Sequence, residues 1–342
     1  MSARESIIPV FVPHLGCPND CVFCNQRRIS GSTTPAEARD VENAVANAAA
    51  LPRTGAKRQL AFYGGSFTAI PVAQQTALLQ AAKAALDEGA IDAVRLSTRP
   101  DAIDGETLSR LARYGVETIE LGAQSMCDEV LALSGRGHTA QDVVDAARMI
   151  KAAGFKLILQ MMTGLPGDSI SRCEATARRI AALSPDGVRI YPTVIVRDTA
   201  LYDLWQAGRY AAHTVDDAVE YCARIVPIFE AAGIPIIRLG LNPTAELSSG
   251  AAAGGAYHPA LGELVKSRLM LDEARRLLQG VAPNSRVTLG VRPNRLSQLI
   301  GQHRQNVACL TREFALAGLK ITPCELKNAD IEILSVEKAE EL

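Results

Sequence analysis

The chain has 342 residues, of which 48% are hydrophobic and 21% charged, and its formal net charge is −1. This composition is typical of a globular protein with a large apolar core, and the neutral balance excludes a global attraction to nucleic acid or membrane surfaces. The sequence has no apolar segment typical of a secretion signal and no run of about 18 apolar residues. We therefore expect a cytoplasmic protein with no membrane contact.

Short apolar runs alternate with longer amphipathic segments through most of the chain. The runs predict strands at 7–14, 59–65, 93–99, 118–125, 156–162 and 187–196, with a seventh candidate at 234–242. Alternation of strands and helices is typical of βαβ units and a parallel sheet. The first strand is not followed by the G-x-G-x-x-G turn of a dinucleotide-binding open sheet. The sequence therefore predicts an α/β fold, a partial (β/α)6 TIM-like barrel.

The composition changes from Thr244 onward. Residues 244–256 are rich in Ala, Gly and Ser, which favours a flexible loop, and a long amphipathic segment follows. Beyond it, a strand, two helices and a strand predict a small basic α+β domain of β-α-α-β order. The predicted organisation is a barrel (1–243), a loop with a connecting helix (244–282) and a C-terminal domain (283–342).

Three of the eight cysteines, Cys17, Cys21 and Cys24, lie just after the first strand. Thiolates bind iron–sulfur clusters and structural zinc, and His14 could complete a zinc site. The C-x3-C-x2-C spacing and the lack of a second C-x2-C pair favour a [4Fe–4S] cluster in which one iron has no protein ligand. An open metal position is what a catalytic centre requires.

Polar or glycine-rich positions recur at the carboxyl ends of the later strands. Each position alone is more often a turn, but in a barrel these ends form the face that carries the active site. Glycine there also allows the backbone to approach a ligand closely. The positions are Gly64, Gly65, Ser66, Thr98, Arg99, Gln124, Gln160, Met161 and Tyr191.

The cysteine spacing, with Phe23 before the last cysteine, resembles the signature of radical S-adenosylmethionine (SAM) enzymes. The resemblance implies that the open iron binds SAM and that one electron, from a donor of flavodoxin or ferredoxin type, releases a 5′-deoxyadenosyl radical. It places Phe23 near the adenine and the SAM amino group at Gly64 and Gly65. The other strand-end positions are candidates for binding SAM. Ser66 stands where many families have Glu.

Longer stretches resemble the radical SAM domain of the catalytic subunit of Elongator, which modifies the wobble uridine of tRNA. The stretches are "YGGSFTAIP" (63–71), "LSTRPDAID" (96–104), "IELGAQSMCDEVLALSGRGHT" (119–139), "MTGLPGD" (162–168) and "IYPTVIVRDTALYDLWQAGRY" (190–210). The cysteine spacing is more compact than in that family. No later stretch resembles an acetyltransferase loop, so acetyl-CoA chemistry cannot be carried over from this resemblance.

The C-terminal segment "LIGQHRQN" (299–306) resembles the GXXG loop of a KH module, which clamps nucleotide backbones. Arg304 replaces the last glycine. Residues 283–322 carry six Lys or Arg and one acidic residue, a balance that suits phosphates. Candidate RNA-binding residues are Arg292, Arg295, Gly301 and Arg304; the alternative is a small structural domain with a solvated basic face.

The sequence thus predicts a radical SAM enzyme that modifies a base in RNA, with tRNA as the candidate. It names no catalytic residue beyond the cofactor ligands. One alternative is a radical SAM enzyme for a small molecule such as a porphyrin precursor. Another is a non-enzymatic protein that binds an iron–sulfur cluster or zinc.

Overall fold

Seven strands form one parallel sheet in the larger of two structural units. The computed structural model describes residues 5–12, 21–24, 34–52, 55–241, 252–327 and 329–338. The larger unit comprises Met1–Thr214 and Arg224–Tyr257, and the smaller unit comprises Val215–Ala223 and His258–Leu342. Cys17 and His14 lie outside the described residues.

The seven strands lie side by side in their order along the chain, β1-β2-β3-β4-β5-β6-β8, and every neighbouring pair is parallel. They are β1 (Glu5–Val12), β2 (Lys57–Gly64), β3 (Ala93–Thr98), β4 (Val116–Gln124), β5 (Lys156–Thr163), β6 (Gly187–Pro192) and β8 (Ile236–Leu239). The predicted partial TIM-like barrel is confirmed, and the seventh candidate strand belongs to its sheet.

Helices occupy the connections between the strands of the larger unit. They are α1 (Ala38–Ala49), α2 (Val72–Asp87), α3 (Gly105–Arg113), α4 (Asp128–Leu133), α5 (Ala140–Ala152), α6 (Ile170–Ala182), α7 (Ala200–Gln206) and α8 (Val215–Ala231). Polar caps begin several of them: Asp104, Ser169 and Thr199 each accept a backbone N–H bond. In the described part of the chain, no helix is both long and apolar enough to cross a membrane.

The sheet is curled, because side chains from distant strands meet at one carboxylate. Tyr63 of β2 and Arg189 of β6 both contact Glu120 of β4, and Arg189 Nη2 donates to Tyr63 Oη at 3.2 Å. Four inter-strand steps would separate β2 from β6 by roughly 19 Å in a flat sheet, at about 4.8 Å a step. The contact therefore requires the sheet to bend around Glu120.

The interior face of the curled sheet carries a buried charge network. Glu120 is fully buried; it accepts from Arg189 Nε at 2.8 Å, Arg95 Nη1 at 3.2 Å, Tyr63 Oη at 3.0 Å and Gln160 Nε2 at 3.0 Å. Side chains alternate between the two faces of a strand. The intervening positions form the apolar core, with large, fully buried residues such as Leu60, Phe62, Leu96, Ile119 and Leu121.

A two-stranded antiparallel pair joins β7 (Val194–Val196) to β9 (Ala252–Gly255). The predicted flexible loop at 244–256 is therefore wrong for residues 252–255, which form β9. Gly255 explains why a segment of small residues suits this strand. A Cβ there would lie 2.9 Å from the carbonyl oxygen of Thr193. Residues 242–251 lie outside the described residues.

The smaller unit has a mixed three-stranded sheet packed against helices. After α9 (Leu261–Leu278) come β10 (Ser285–Val291), α10 (Leu296–Ile300), α11 (Gln305–Glu313), β11 (Gly318–Pro323) and β12 (Ile331–Lys338). The predicted β-α-α-β order is confirmed. The sheet order is β11-β10-β12, and β12, which the sequence analysis did not predict, pairs antiparallel with β10. The core joins Met270 and Leu278 of α9 to Val287 and Leu289 of β10.

Replacing Glu120 by Gln tests the buried network. We expect a loss of about 3–5 kcal/mol in the free energy of unfolding, because Arg189 loses its paired carboxylate and the buried Arg95 is left with the part-exposed Glu5. The matched variant is Glu117→Gln on the same strand, where a part-exposed carboxylate pairs with Lys57 and Lys156. It should lose about 1 kcal/mol or less. Urea unfolding measures both, and equal losses would contradict the role given to Glu120.

Candidate functional site

The carboxyl ends of the seven strands lie along one edge of the sheet, because all the strands are parallel. This edge gathers most of the positions predicted from the sequence. Gly64, Gly65 and Ser66 end β2 and follow it; Thr98 and Arg99 end β3 and follow it; Gln124 ends β4. Gln160, Met161 and Tyr191 lie inside β5 and β6, one to three residues before the strand ends.

Two of the predicted metal ligands lie on one turn, Cys21–Cys24. Cys24 N–H donates to the Cys21 carbonyl at 3.0 Å. Val22 fixes this turn on both sides: its N–H donates to the Ser134 carbonyl at 3.1 Å, and its carbonyl accepts from Leu201 N–H at 2.7 Å. Cys21 is buried, whereas Phe23 and Cys24 are half-buried. The third predicted ligand, Cys17, lies outside the described residues.

Arg136, in the turn between α4 and α5, reaches the Cys21 sulfur. Its Nη1 donates to Cys21 Sγ at 3.2 Å and its Nη2 donates to the Gly122 carbonyl at 2.7 Å. A Cβ at position 122 would lie 3.3 Å from Arg136 Nη2 and 2.9 Å from Gln124 Nε2. Glycine at 122 therefore makes room for the guanidinium next to the strand. The sequence analysis quoted this turn but did not identify Arg136 as a site residue.

Two of the predicted polar residues join the ends of β2 and β3. Ser66 Oγ is hydrogen-bonded to Thr98 Oγ1 at 2.7 Å and accepts from Arg99 N–H at 3.1 Å. Beside them, Gly65 N–H donates to the Val12 carbonyl at 2.7 Å. Gly64 is exposed and has φ 101°, a conformation that favours glycine. These hydrogen bonds hold the ends of β1, β2 and β3 together, and Gly64 lies at the surface.

Arg99 is a second guanidinium at this edge. It donates to both carboxylate oxygens of Asp101 at 2.9 Å and to the Arg136 carbonyl at 2.6 Å. Next to it, His138 is buried, and its Nε2 lies 3.2 Å from the Ala123 carbonyl. Burial, together with the positive charge of Arg136, lowers the pKa of His138 to about 4. This imidazole is therefore neutral at physiological pH.

Gln124 has a strained backbone at the end of β4. Its φ is 63°, in the left-handed region that non-glycine residues rarely adopt. The side chain is buried, yet Oε1 has no hydrogen-bond partner within the described ranges. Strained backbone and an unsatisfied buried acceptor both concentrate at binding sites. Gln124 thus has an oxygen available to a ligand.

The three remaining predicted residues point in different directions. Gln160 faces the interior, where it donates to Glu120. Met161 is fully buried on the opposite face of β5, so only its backbone reaches the interior side. Tyr191 is half-buried, and burial raises the pKa of its hydroxyl. Glu120, Arg95 and Arg189, which the sequence analysis missed, contribute more charge to this interior than the predicted residues.

The "TGLPGD" turn after β5 is held by a dense set of contacts. Thr163 Oγ1 lies 3.1 Å from His213 Nε2, and Tyr210 Oη donates to the Gly164 carbonyl at 2.6 Å. Asp168 accepts from Gly164 N–H at 2.9 Å and from the Cys173 thiol at 2.9 Å. Burial raises the pKa of Asp168. These contacts make the end of β5 a rigid part of the edge.

The candidate RNA-binding residues lie in the smaller unit, in two groups. Arg292 and Arg295 both pair with Asp330, at 3.4 and 3.2 Å, which partly neutralises them. Gly301 has φ 73°, and Arg304, where a GXXG loop has its last glycine, has φ 61°. Arg304 therefore adopts a conformation that glycine would adopt without strain, and its side chain is exposed.

Within Gly301–Arg304, close packing explains the glycine that is retained. A Cβ at Gly301 would lie 2.8 Å from Cγ of the buried Asn306. The Asn306 amide donates to the Gln298 carbonyl at 3.2 Å and to Ser267 Oγ at 3.0 Å. The base of the loop is thus fixed by buried hydrogen bonds, while Gln302, His303 and Arg304 are exposed.

Two family models match the chain in succession. The radical SAM superfamily model matches residues 11–180, and the radical SAM C-terminal domain model matches residues 185–270. The chain therefore belongs to the radical SAM superfamily and is a radical SAM enzyme. The cofactors of this superfamily are a [4Fe–4S] cluster and SAM.

Among curated proteins, the chain is similar to the Elongator subunit that its motifs resemble. It is 36% identical to human "Elongator complex protein 3" over 138 residues, which are 40% of this chain and 25% of that protein. It is 32% identical to a "tRNA uridine(34) acetyltransferase" of Methanocaldococcus infernus over 141 residues, 40% of this chain and 26% of that protein. The match thus spans about a quarter of these relatives' length.

Solved structures share the fold. The Elp3 structure of Methanocaldococcus infernus superposes with a TM-score of 0.62 at 22% identity, over 80% of this chain and 64% of that one. Coproporphyrinogen III oxidase of Escherichia coli gives a TM-score of 0.50 at 18% identity, over 68% of this chain and 53% of that one. At these identities the likeness concerns the fold.

Replacing Gly164 by Ala tests the packing of the β5 end. Gly164 has φ 75°, and a Cβ there would lie 2.1 Å from Cγ of His213. The matched variant is Gly208→Ala, where φ is 68° and nothing lies within 4 Å of the added Cβ. In both variants, alanine in the left-handed conformation lowers the free energy of unfolding by about 1–2 kcal/mol. Gly164→Ala should lose about 1–3 kcal/mol more in urea unfolding, because His213 must move; similar losses would contradict this packing.

Proposed function

We propose that this enzyme binds its [4Fe–4S] cluster through Cys17, Cys21 and Cys24 and cleaves SAM to modify a base in RNA, with tRNA as the substrate class. The observation that carries the proposal is the placement of Cys21. Its sulfur lies at the carboxyl edge of the sheet and accepts a hydrogen bond from a buried guanidinium. When bound, the reduced cluster and SAM together supply a 5′-deoxyadenosyl radical.

The described residues fit a thiolate-ligated cluster. Cys21 and Cys24 share one turn, so two ligands approach from the same side. Arg136 donates to Cys21 Sγ at 3.2 Å, and hydrogen bonds to a ligand sulfur help to hold it at a metal site. Among the described residues no group of three His, Cys, Asp or Glu forms a competing metal site. The cysteine turn is the part of the described chain that suits this cofactor.

The proposed SAM pocket combines polar side chains with exposed backbone along the same edge. The exposed backbone of Gly64 suits the amino group of its methionine part, as the resemblance implies. The Gln124 amide oxygen, which has no partner within the described part of the chain, is an acceptor for a second polar group. We assign Phe23, at the cysteine turn, to the adenine. Gln160, Tyr191 and the Met161 backbone complete the proposed pocket.

The remaining predicted residues act by positioning this pocket. Ser66 and Thr98 hold the ends of β2 and β3 together through their 2.7 Å hydrogen bond. Arg99, held by Asp101 and the Arg136 carbonyl, keeps positive charge near the SAM carboxylate. These contacts are already made in the structure, so the pocket needs little rearrangement to bind its ligand.

Two lines of support point to RNA as the substrate. The curated relatives carry names that concern tRNA or Elongator, although the match covers only a quarter of their length. The smaller unit presents an exposed basic loop at Gly301–Arg304, fixed at its base by Asn306. We propose that this loop contacts RNA phosphates, as the GXXG loop of a KH module does.

Mass spectrometry of tRNA nucleosides from a strain lacking the gene should show one modified base missing; an unchanged profile would contradict the tRNA proposal.

Serine variants of the three cysteines test cofactor binding. After anaerobic reconstitution, the unmodified chain should hold about four irons and, on reduction with SAM, release 5′-deoxyadenosine. Cys17→Ser, Cys21→Ser and Cys24→Ser should each lose the cluster and the cleavage activity. Cys309→Ser, at a half-buried thiol in α11 of the smaller unit, should retain both. A loaded chain that does not cleave SAM would contradict the proposed function.

Removing the Arg304 charge tests RNA binding. Asn tolerates left-handed backbone, so Arg304→Asn should fold normally. Its affinity for a tRNA transcript should fall severalfold, and the slope of log K against log salt should decrease by about 1. Arg276→Gln, which removes an exposed charge paired with Glu273 on α9, is the control. Fluorescence anisotropy at several salt concentrations measures both; equal affinities would contradict a role for the loop.

A further inference from the structure

Arg136 is a buried guanidinium whose described partners include no carboxylate. It is 7% exposed, and among the described residues its side chain donates to Cys21 Sγ and the Gly122 carbonyl. Its Nε is buried without a hydrogen-bond partner among the described residues. Asp101, a carboxylate at this edge, accepts from both Nε and Nη2 of Arg99. Burying a cation without a counter-charge is costly, so an anionic sulfur at Cys21 would offset that cost.

The backbone around Arg136 holds the guanidinium in place. Its N–H donates to the Leu131 carbonyl at 3.0 Å, and its carbonyl accepts from Arg99 at 2.6 Å. The flanking Gly135 and Gly137 have φ values of 64° and 72°, which shape this tight turn. The same turn also receives Val22 N–H at the Ser134 carbonyl. Two contacts from one turn therefore dock the cysteine segment.

We propose that Arg136 is a positioning residue that holds the Cys21 sulfur by a charge-assisted hydrogen bond and raises the reduction potential of the cluster. The inference rests on the proposed function, because it takes Cys21 to be a cluster ligand. Hydrogen bonds and positive charge at a ligand sulfur stabilise the reduced cluster, which carries one more negative charge. Arg136 would thus ease delivery of the electron that starts the reaction.

The two contacts of Arg136 distinguish it from lysine. The planar fork of arginine donates to Cys21 and to Gly122 at once, whereas an ammonium is a point charge on a flexible stem. Arg136→Lys should keep part of the electrostatic effect and lose the fixed geometry. Arg136→Met removes both. Arg179→Met is the control, because Arg179 lies in the same unit and donates to the Met126 carbonyl rather than to Cys21.

The first measurement is a redox titration of the reconstituted cluster, followed by electron paramagnetic resonance. Arg136→Met should shift the midpoint to a more negative potential by at least a tenfold change in the reduction equilibrium, about 59 mV for one electron. Arg136→Lys should fall between this variant and the unmodified chain. Arg179→Met should not differ from the unmodified chain. An unchanged midpoint in Arg136→Met would overturn the electrostatic part of the proposal.

The second measurement needs no cluster, so it separates this inference from the proposed function. Hydrogen exchange of the apoprotein, read by mass spectrometry, should be faster at residues 21–24 in Arg136→Met and unchanged there in Arg179→Met. Unchanged exchange in Arg136→Met would overturn the positioning role, even if the unmodified chain bound no cluster. Loss of the cluster with faster exchange confined to 21–24 would support it. Faster exchange throughout the barrel would overturn it, since Arg136 would then be a general stabiliser.

Discussion

The curl of the sheet around Glu120 is the constraint on which the site depends. A flat sheet of these strands would hold Tyr63 and Arg189 far apart, yet both side chains contact one carboxylate. Glu120 supplies a carboxylate to both Arg95 and Arg189, and Arg95 also pairs with Glu5 at 2.9 Å. The same bend brings the carboxyl ends of β2 to β6 around a common interior. The positions of the residues that would surround a ligand therefore depend on a charge network that lies several residues earlier on the same strands.

Strand β4 connects that network to the edge. Glu120 and Gly122 lie on one face of the strand, because side chains alternate. The register shifts between Gly122 and Gln124, yet the Gln124 amide lies 2.9 Å from where a Cβ of residue 122 would be. Glu120 holds the curl, Gly122 leaves room for Arg136, and Gln124 places an unsatisfied oxygen at the strand end. Arg136 then extends the path from β4 to the Cys21 sulfur.

Sequence patterns predicted the strands and their order because parallel strands buried on both faces are continuous apolar runs with polar ends. They also located the cysteine turn, whose spacing is local. Glu120, Arg189 and Arg136 were missed because their partners lie on other strands and turns, which no local pattern encodes. One signal in the sequence could have indicated this network: polar residues in the middle of successive strands. They are Gln59, Arg95, Glu120, Gln160 and Arg189. Alternation likewise allows only one of the neighbours Gln160 and Met161 to face the interior. Strand β9 was predicted as a loop because small residues favour flexibility unless a partner strand approaches closely.

The smaller unit shows how charge counted along the sequence changes once the fold is known. Residues 283–322 contain six basic residues, but Asp330, which lies outside that stretch, pairs with two of them, Arg292 and Arg295. In the exposed loop, Arg304 adopts the left-handed conformation of the glycine that it replaces. Asn306 fixes the other end of this loop so closely that Gly301 cannot carry a side chain. A loop with a rigid glycine base and a charged tip offers a phosphate both backbone groups and a guanidinium. A GXXG loop with two glycines offers backbone groups alone.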